Sequence, residues 1–507
     1  MGGPSASGRT FDVENPATGE IIAQVADGGP VDAQRAIEVA GARQRDWART
    51  APRERSEILR RAYELILDRA DELATVMTAE MGKPLTEARG EVLYGAEIFR
   101  WFSEEAVRIG GDHTLTGDGK TRILVTRGPV GPCVLITPWN FPLAMGTRKI
   151  GPALAAGCTM VFKPAEQTPL TSLALAGILA QAGLPAGVLN VVPTSEPGSV
   201  VSLWMKSGIA RKVSFTGSTD VGKLLLAQAS EKVMRSSLEL GGNAPFIVCA
   251  DADVDRAVDG AVTAKMRNMG EACTAANRFL VHRSVAEEFC RKLGQRLSAL
   301  TVGNGAAPGT EVGPLIDQAG LQTVQQLVDD AVSRGASVVV GGSRPTGPGY
   351  FYLPTVLADV PVDAALMSTE IFGPVAPVVP FDDEDEAVRL ANDTDWGLVG
   401  YVFTSDIDRA LRLSEELEVG MVGINTGLVS NPAAPFGGVK QSGLGREGGR
   451  IGIDEYLGVP TCPDPGCLLP VALRPMQRSW PVRRYGDGPL TAIPPSCPTA
   501  PPSLSPA

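Results

Sequence analysis

One cysteine, one glutamate and one asparagine in this chain have the functional groups needed for attack on a carbonyl carbon. Cys273 lies in residues 270–278 (GEACTAANR), and Glu239 precedes it by 34 residues. A thiolate is the strongest side-chain nucleophile at neutral pH, and a carboxylate can take a proton from a water that attacks later. Asn140, in residues 136–142 (ITPWNFP), could donate to a developing oxyanion. Together these residues predict covalent catalysis through a thiol.

Taken singly, each residue has a simpler interpretation, because a lone cysteine is usually a small buried hydrophobe and a lone glutamate a surface charge. Together, the three segments resemble the aldehyde dehydrogenase superfamily in their order, their neighbours and the Glu239-to-Cys273 interval. The resemblance implies that Cys273 is the nucleophile, Glu239 the base and Asn140 the oxyanion donor. It also links Lys149 and Glu447 to proton relay behind Glu239, although both could be ordinary surface charges.

The composition limits the classes of protein. A chain of 507 residues is too long for one ordinary core and predicts two or three domains. A net charge of −11 argues against nucleic-acid and anionic-lipid partners, and the sequence has no apolar run that could cross a membrane. The eight cysteines are scattered and the chain has only two histidines, so neither a metal site nor a disulfide framework is expected. We expect a cytoplasmic protein, since the first residues also lack the pattern of a secretory signal.

Short β-rich runs alternate with helical patterns, which predicts an α/β fold with parallel sheets and crossover helices. The predicted strands are Cys133–Ile136 and residues 160–162, 188–192, 212–215, 246–248, 338–340, 375–379 and 421–424. Early in the chain, apolar residues at helical spacing predict one face of a single long helix: Leu59, Ala62, Tyr63, Ile66, Ala70 and Leu73.

The family resemblance implies a Rossmann-type cofactor domain, an α/β catalytic domain and a small β oligomerisation element. We assign residues 1–111 and 131–238 to the NAD(P)-binding domain, 239–445 to the catalytic domain, 112–130 and 446–459 to the oligomerisation element and 460–507 to a tail. The tail holds 13 of the 40 prolines, which predicts disorder. Proline also interrupts the last family strand, so the homo-oligomer typical of the family is in doubt.

A candidate cofactor site begins with residues 215–222 (FTGSTDVG), where Gly217 and Ser218 follow a strand and open a helix. This geometry lets a helix N-terminus meet a pyrophosphate, although the full glycine fingerprint is missing and the turn alone is weak evidence. Family resemblance strengthens the prediction and implies further cofactor residues: Trp139, Lys163, Glu166, Glu370 and Phe372. Glu166 could accept from a ribose 2′-hydroxyl and would repel a 2′-phosphate, so we expect NAD, with NADP possible because Lys163 is near.

Residues 147–149 and 265–270, with residues 435–448, resemble succinate-semialdehyde dehydrogenases within the family. Arg148 and Arg267 fall in stretches that line the substrate funnel in relatives, and a guanidinium can hold a distal carboxylate through paired hydrogen bonds. Ser430 matches a region that helps to bind the same carboxylate. The arginines could instead form structural salt bridges. The predicted reaction is oxidation of a small-molecule aldehyde, succinate semialdehyde, to succinate.

Two departures from the family pattern bear on the thiol. Ala275 stands where many relatives carry a second cysteine, so a regulatory disulfide is not expected there, and Glu271 replaces a more usual glutamine. A carboxylate at Glu271 would raise the pKa of the Cys273 thiol if it faced the sulfur. The alternatives are an enzyme for another semialdehyde or an aromatic aldehyde, and a non-catalytic dinucleotide-binding protein of the same fold.

Overall fold

The computed structural model describes residues 3–120 and 122–458. In its amino-terminal part the strands are β1 (Thr10–Asn15), β2 (Glu20–Ala26), β3 (Asp112–Leu115), β4 (Arg122–Val125), β5 (Gly128–Pro129), β6 (Cys133–Ile136), β7 (Met160–Lys163), β8 (Leu189–Val191), β9 (Lys212–Thr216) and β10 (Arg235–Glu239). The helices of this part are α1 (Pro30–Arg49), α2 (Pro52–Asp68), α3 (Ala70–Met81), α4 (Leu85–Glu105), α5 (Ala144–Ala156), α6 (Pro169–Gln181), α7 (Pro197–Lys206) and α8 (Thr219–Ser230).

The carboxyl-terminal part continues the alternation. Its strands are β11 (Ala244–Val248), β12 (Ala276–His282), β13 (Ser337–Val340), β14 (Thr355–Ala358), β15 (Val375–Phe381), β16 (Trp396–Gly397), β17 (Val399–Phe403), β18 (Met421–Ile424), β19 (Val439–Lys440), β20 (Gly443–Leu444) and β21 (Leu457–Gly458). Its helices are α9 (Val254–Met266), α10 (Arg283–Ser298), α11 (Gln318–Ser333), α12 (Glu384–Asn392) and α13 (Ile407–Glu416), with 3₁₀ turns at Arg267–Gly270, Ala365–Met367 and Ile451–Tyr456.

A six-stranded sheet has the order β20-β10-β9-β6-β7-β8, in which only β20 runs antiparallel to its neighbour. The register pairs Ile136 with Lys163, and Glu239 with Thr216. The carboxyl ends of the five adjacent parallel strands therefore lie at one edge of the sheet. The segments that carry the candidate site leave from that edge.

A second sheet of seven strands has the order β13-β14-β15-β12-β11-β17-β18, with β13 antiparallel to β14 and the rest parallel. Cys273 lies three residues before the start of β12, and Gly242 lies two residues before the start of its neighbour β11. The amino edge of this sheet thus carries the cysteine, while the chain reaches it from Glu239 at the carboxyl edge of the other sheet. Helices cover both sheets, so their central strands are buried.

The α/β fold class is confirmed, and every strand predicted from the sequence is present: β6, β7, β8, β9, β11, β13, β15 and β18. The prediction of one long early helix is wrong. The apolar face continues from α2 into α3, but the backbone at Arg69 leaves the helical region, with φ −109° and ψ 21°. The apolar residues keep their helical spacing across both helices, which pack into one hydrophobic core.

Residues 112–130 supply β3, β4 and β5, and β5 pairs antiparallel with β21 near the end of the described chain. The predicted domain boundaries remain a proposal. The predicted tail at 460–507 and the predicted damage to the family's last strand lie outside the described residues. Among the residues that the structure describes, none of the helices has the length and apolar character needed to cross a bilayer.

Candidate active site

The loop that carries Cys273 has an unusual backbone. After α9, Asn268 and Met269 adopt φ of 54° and 56°, a left-handed conformation that non-glycine residues rarely hold. Gly270 follows with φ 79°, and a Cβ there would lie 2.2 Å from the Gly373 carbonyl oxygen. This tightly packed reversal directs the chain into β12 and leaves the Cys273 thiol partly exposed.

Asn140 lies beside that loop, between β6 and α5. Its Nδ2 donates to the Glu271 carbonyl oxygen at 3.0 Å, and the side chain is buried. The amide nitrogen has a second hydrogen, so one hydrogen bond anchors Asn140 to the cysteine loop while the other hydrogen stays available. The sequence prediction of an oxyanion donor is compatible with this arrangement.

Glu239 ends β10 and belongs to a buried cluster of charges. Glu447 receives two cations: Lys149 Nζ lies 2.6 Å from its Oε1, and Arg148 Nε lies 2.9 Å from its Oε2. Glu239 itself is 3% exposed, and its Oε2 has no hydrogen-bond partner among the described residues. A free, buried carboxylate oxygen is suited to accept a proton.

The two carboxylates of the cluster have opposite pKa shifts. Burial and the nearby charge of Glu447 raise the pKa of Glu239 well above its ordinary value, although Arg148 and Lys149 oppose the shift. Burial acts on Glu447 in the same direction, but the attraction of Lys149 and Arg148 outweighs it and lowers the pKa of Glu447. Glu447 therefore favours its ionised form, while Glu239 holds a proton more readily than an ordinary carboxylate.

Burial raises the pKa of the Cys273 thiol to about 12, with Glu370 and Glu239 adding to the shift and Arg148 and Arg267 opposing it. The sulfur is consequently protonated at neutral pH and needs a base to accept its proton. Glu239 is close enough to influence that pKa, which makes it the natural acceptor.

Glu271 does not face the sulfur. Its Oε1 accepts from the Ile316 backbone N–H at 3.0 Å, and burial raises the pKa of its carboxyl well above the ordinary value. The condition under which this departure from the family pattern would affect Cys273 is therefore not met.

The candidate cofactor residues lie along the same sheet edge. Gly217 follows β9, and the Ser218 hydroxyl caps α8 by accepting from the Val221 N–H at 3.5 Å. At the end of β7, Lys163 Nζ donates to Glu166 Oε2 at 2.6 Å, with Lys163 buried and Glu166 partly exposed. A helix N-terminus beside a lysine–glutamate pair can hold the phosphates and a ribose hydroxyl of a dinucleotide.

Glu370 and Phe372 approach from the other sheet. Glu370 Oε1 accepts from the Gly242 N–H at 3.0 Å, and a Cβ on Gly241 would lie only 2.9 Å from Glu370 Oε2. Phe372 has a left-handed φ of 50°, and its ring meets Trp139 edge to face at 5.5 Å. Burial raises the pKa of Glu370 to about 7. The held carboxylate and the flanking ring fit the nicotinamide ribose half of the predicted cofactor.

One cavity of about 230 Å³ connects these groups with the thiol. Seven of the predicted site residues line it: Trp139, Asn140, Gly217, Ser218, Cys273, Glu370 and Phe372. A dinucleotide whose reactive end entered this cavity would meet the thiol. The chain thus has residues that fit the cofactor implied by its sequence.

The two predicted substrate arginines have different surroundings. Arg148 is buried against Glu447, with its guanidinium 3.8 Å above the Phe436 ring. Arg267 is half-buried on the cysteine loop, and its Nη2 donates to Thr274 Oγ1 at 3.0 Å. Ser430 is half-buried in the loop after β18. The structure places Arg148 in the charge cluster, so only Arg267 has the exposure expected of a residue in a substrate funnel.

Sequence reasoning missed the residues beneath Asn140, namely Lys83, Glu87, Glu91 and Asn268. Lys83 Nζ donates to the Asn140 carbonyl oxygen at 2.7 Å and to Glu91 Oε2 at 2.5 Å. The available signal was two glutamates four residues apart at the start of a helix, directly after a Gly-Lys-Pro turn. Such a pattern is usually a solvated face, and only the fold reveals that it is buried.

Comparison with known proteins identifies the class of protein that this fold and site define. Residues 4–462 match the model of the aldehyde dehydrogenase family, so the chain belongs to that family. The family and the enzyme class predicted from the sequence are confirmed.

Individual members of the family show which of its enzymes this chain is similar to. Over 436 residues, which are 86% of this chain and 97% of the relative, it is 59% identical to a succinate-semialdehyde dehydrogenase of Paenarthrobacter nicotinovorans. It is 49% identical to a glutarate-semialdehyde dehydrogenase of Pseudomonas putida, over 89% of this chain and 93% of that one. The crystal structure of succinate-semialdehyde dehydrogenase from Burkholderia pseudomallei matches with a TM-score of 0.89 at 49% identity, covering 90% of this chain and 94% of that chain.

Proposed function

We propose that the protein oxidises succinate semialdehyde to succinate with NAD(P), through a covalent intermediate on Cys273. The observation that carries the proposal is the convergence of a thiol and a free amide hydrogen on the cavity that the cofactor residues line, with the unpartnered carboxylate of Glu239 close enough to raise the pKa of that thiol. The names of the relatives support the choice of substrate.

In the first half of the reaction the Cys273 sulfur bonds to the aldehyde carbon as Glu239 accepts the thiol proton. The second hydrogen of Asn140 Nδ2 and the Cys273 backbone N–H stabilise the oxyanion of the resulting thiohemiacetal. A nicotinamide held by Glu370 and Phe372 would supply the hydride acceptor, and loss of hydride leaves a thioester on Cys273.

In the second half Glu239 removes a proton from water, whose hydroxide attacks the thioester; the carbon–sulfur bond breaks, and the products are the carboxylate and the Cys273 thiol, which takes the second proton of the water. Lys149 and Glu447 are proposed to carry the proton away from Glu239. The short Lys149–Glu447 contact of 2.6 Å supports this relay.

The distal carboxylate of the substrate is proposed to bind Arg267 and Arg148, with Ser430 nearby. Arg267 is accessible from the cysteine loop, and Arg148 keeps a buried Nη2 without a partner among the described residues. NAD is the proposed cofactor in preference to NADP, because Glu166 would repel a 2′-phosphate.

A comparison of succinate semialdehyde with butanal tests the substrate. A charge-assisted hydrogen bond contributes about 1.5–3 kcal/mol, so Arg267→Ala should lower kcat/KM for the semialdehyde by roughly 10- to 150-fold and leave butanal nearly unchanged. Arg148→Ala should show the same preference, with an added loss for both aldehydes because Glu447 loses a partner. If Arg267→Ala lowers kcat/KM equally for both aldehydes, Arg267 has a structural role and does not bind the carboxylate.

Glutarate semialdehyde is the second candidate substrate, because a relative of that name is 49% identical over most of the chain. Its kcat/KM, measured beside that of succinate semialdehyde, decides which chain length the pocket prefers.

We also propose a cytoplasmic location and a homo-oligomer weaker than is typical of the family; mass photometry at nanomolar concentration tests the oligomer.

A further inference from the structure

The carbonyl oxygen of Asn140 is held by two donors from different parts of the chain. Lys83 Nζ donates to it at 2.7 Å, and Asn268 Nδ2 donates at 3.1 Å. Lys83 is 1% exposed, and its ammonium group also lies 4.2 Å from the centroid of the Phe141 ring. Burial of an ammonium group costs free energy unless its hydrogen bonds are satisfied, so a buried lysine here indicates a specific role.

Glu91 fixes the position of Lys83 and of the segment after Asn140. Its Oε2 lies 2.5 Å from Lys83 Nζ, while its Oε1 accepts from the backbone N–H groups of Leu143 and Ala144 at 2.9 and 3.1 Å. One buried carboxylate therefore ties the lysine to the first turn of α5. The chain on both sides of Asn140 has little freedom to move.

Helix α4, which carries Glu91, also holds the cysteine loop. Glu87, one turn before Glu91 on α4, accepts from the Asn268 backbone N–H at 2.6 Å. Asn268 Nδ2 in turn donates to the Glu271 carbonyl oxygen at 2.9 Å, the same oxygen that accepts from Asn140 Nδ2 at 3.0 Å. Helix α4 thus contacts both partners of the oxyanion site, Asn140 through Lys83 and the cysteine loop through Glu87.

We propose that Lys83 is a positioning residue for the oxyanion site: paired with Glu91, it sets the place of the Asn140 amide relative to Cys273. The inference rests on the proposed function, because it needs Asn140 to stabilise the oxyanion. Lys83 touches neither sulfur nor the cofactor residues, so its loss acts on the rate of acylation through Asn140 and leaves cofactor binding alone.

The test is a double-mutant cycle on acylation, followed as the pre-steady-state formation of reduced cofactor. Lys83→Met should slow acylation by roughly 10- to 100-fold, since a misplacement of about 1 Å can cost about 100-fold. Asn140→Ala should slow it by about 100- to 1,000-fold. Because both changes act through one group, the double variant should be no more than about threefold slower than Asn140→Ala. The affinity for reduced cofactor should stay within about twofold throughout.

Arg55→Met is the matched control, since Arg55 is likewise buried and donates to a backbone carbonyl, that of Ala155 at 3.1 Å. It should lower the melting temperature without slowing acylation. If Lys83→Met does not fold, Glu91→Gln replaces it: the introduced amide keeps an acceptor for Leu143 and Ala144 but opposes a donor to Lys83, so acylation should slow in the same non-additive way.

The outcomes separate the two proposals. Multiplicative effects of Lys83→Met and Asn140→Ala, or acylation as fast as in the control, overturn the positioning role while the oxyanion role of Asn140 stands. Full activity of Asn140→Ala overturns the oxyanion role itself, and the positioning role with it.

Discussion

Two groups of residues meet at Cys273, and they are held in place by different physical means. On the oxyanion side, Asn140 is fixed by hydrogen bonds to carbonyl oxygens and by a left-handed backbone at Asn268. On the base side, Glu239 lies among three buried charges, those of Glu447, Lys149 and Arg148. The charges of the oxyanion side, those of Lys83 and Glu91, hold the backbone of Asn140 in place, whereas the charges of the base side set the pKa of Glu239.

Mutations on the two sides should therefore change different kinetic properties. A change on the oxyanion side moves a donor by a fraction of an ångström and should alter the acylation rate at every pH. A change on the base side alters the balance of charges around Glu239 and should shift the pH at which the enzyme works. Cys273 belongs to both sides, so its removal has the largest effect.

Cys273→Ala should reduce dehydrogenase activity by at least about 10⁴-fold, because no other group on either side can form the covalent intermediate. Binding of reduced cofactor, measured by its fluorescence, should change little. Cys249→Ala is the control, since burial raises the pKa of that thiol to about 12 as well, but Cys249 is buried in the core of the seven-stranded sheet. Equal losses in both variants would contradict the assignment of the nucleophile.

Glu239→Gln removes the base but keeps the oxyanion side intact. Because Glu239 is proposed to accept a proton in both halves of the reaction, formation of the thioester and its hydrolysis should each slow by about 100- to 1,000-fold, and reduced cofactor should form slowly without a burst. Glu271→Gln is a matched change of a buried glutamate that points toward Ile316, and it should keep normal turnover. Unchanged steady-state rates in Glu239→Gln would show that another group activates water.

The sequence predicted the base side better than the oxyanion side. Glu239, Lys149 and Glu447 were all expected from family resemblance, and the structure places Lys149 against Glu447 while the nearby charge of Glu447 raises the pKa of Glu239. The strands that carry the site were also predictable, because buried parallel strands read as short runs of β-branched residues. Family membership followed from the Asn140, Glu239 and Cys273 segments together.

Other features could not be read from the chain. The break between α2 and α3 leaves the apolar periodicity unaltered, so only the backbone at Arg69 reveals it. Lys83 and Glu91 look like surface charges in sequence, and their burial depends on contacts with Asn140 and α5 that are distant along the chain. The side chain of Arg148 faces Glu447, a residue almost 300 positions away. Such long-range pairings have no local signal.

Opposite changes on the base side should move the pH profile in opposite directions. Lys149→Met removes a cation that lowers the pKa of Glu239, so that pKa rises further and the ascending limb of the pH–rate curve moves up by about one pH unit. Glu447→Gln removes the anion that raises it, so the limb moves down by about as much. The measurement is kcat against pH under conditions where deacylation limits the rate, and Asn140→Ala should leave the limb in place. If both base-side variants shift the limb in the same direction, Glu239 is not the group whose pKa sets it.

The smallest effect is expected outside both sides, where Glu166 meets Lys163. Two unit charges about 4 Å apart interact by about 1 kcal/mol in water, and Glu166 is 39% exposed, so its repulsion of a 2′-phosphate is of that order. Glu166→Gln should therefore raise the ratio of kcat/KM with NADP to that with NAD by about fivefold, while the rate of the covalent step at saturating cofactor stays the same. Glu231→Gln changes an exposed glutamate at the far end of α8 and should leave the ratio unaltered. If Glu166→Gln instead slows acylation at saturating cofactor, the cofactor half of the cavity is coupled to the oxyanion side.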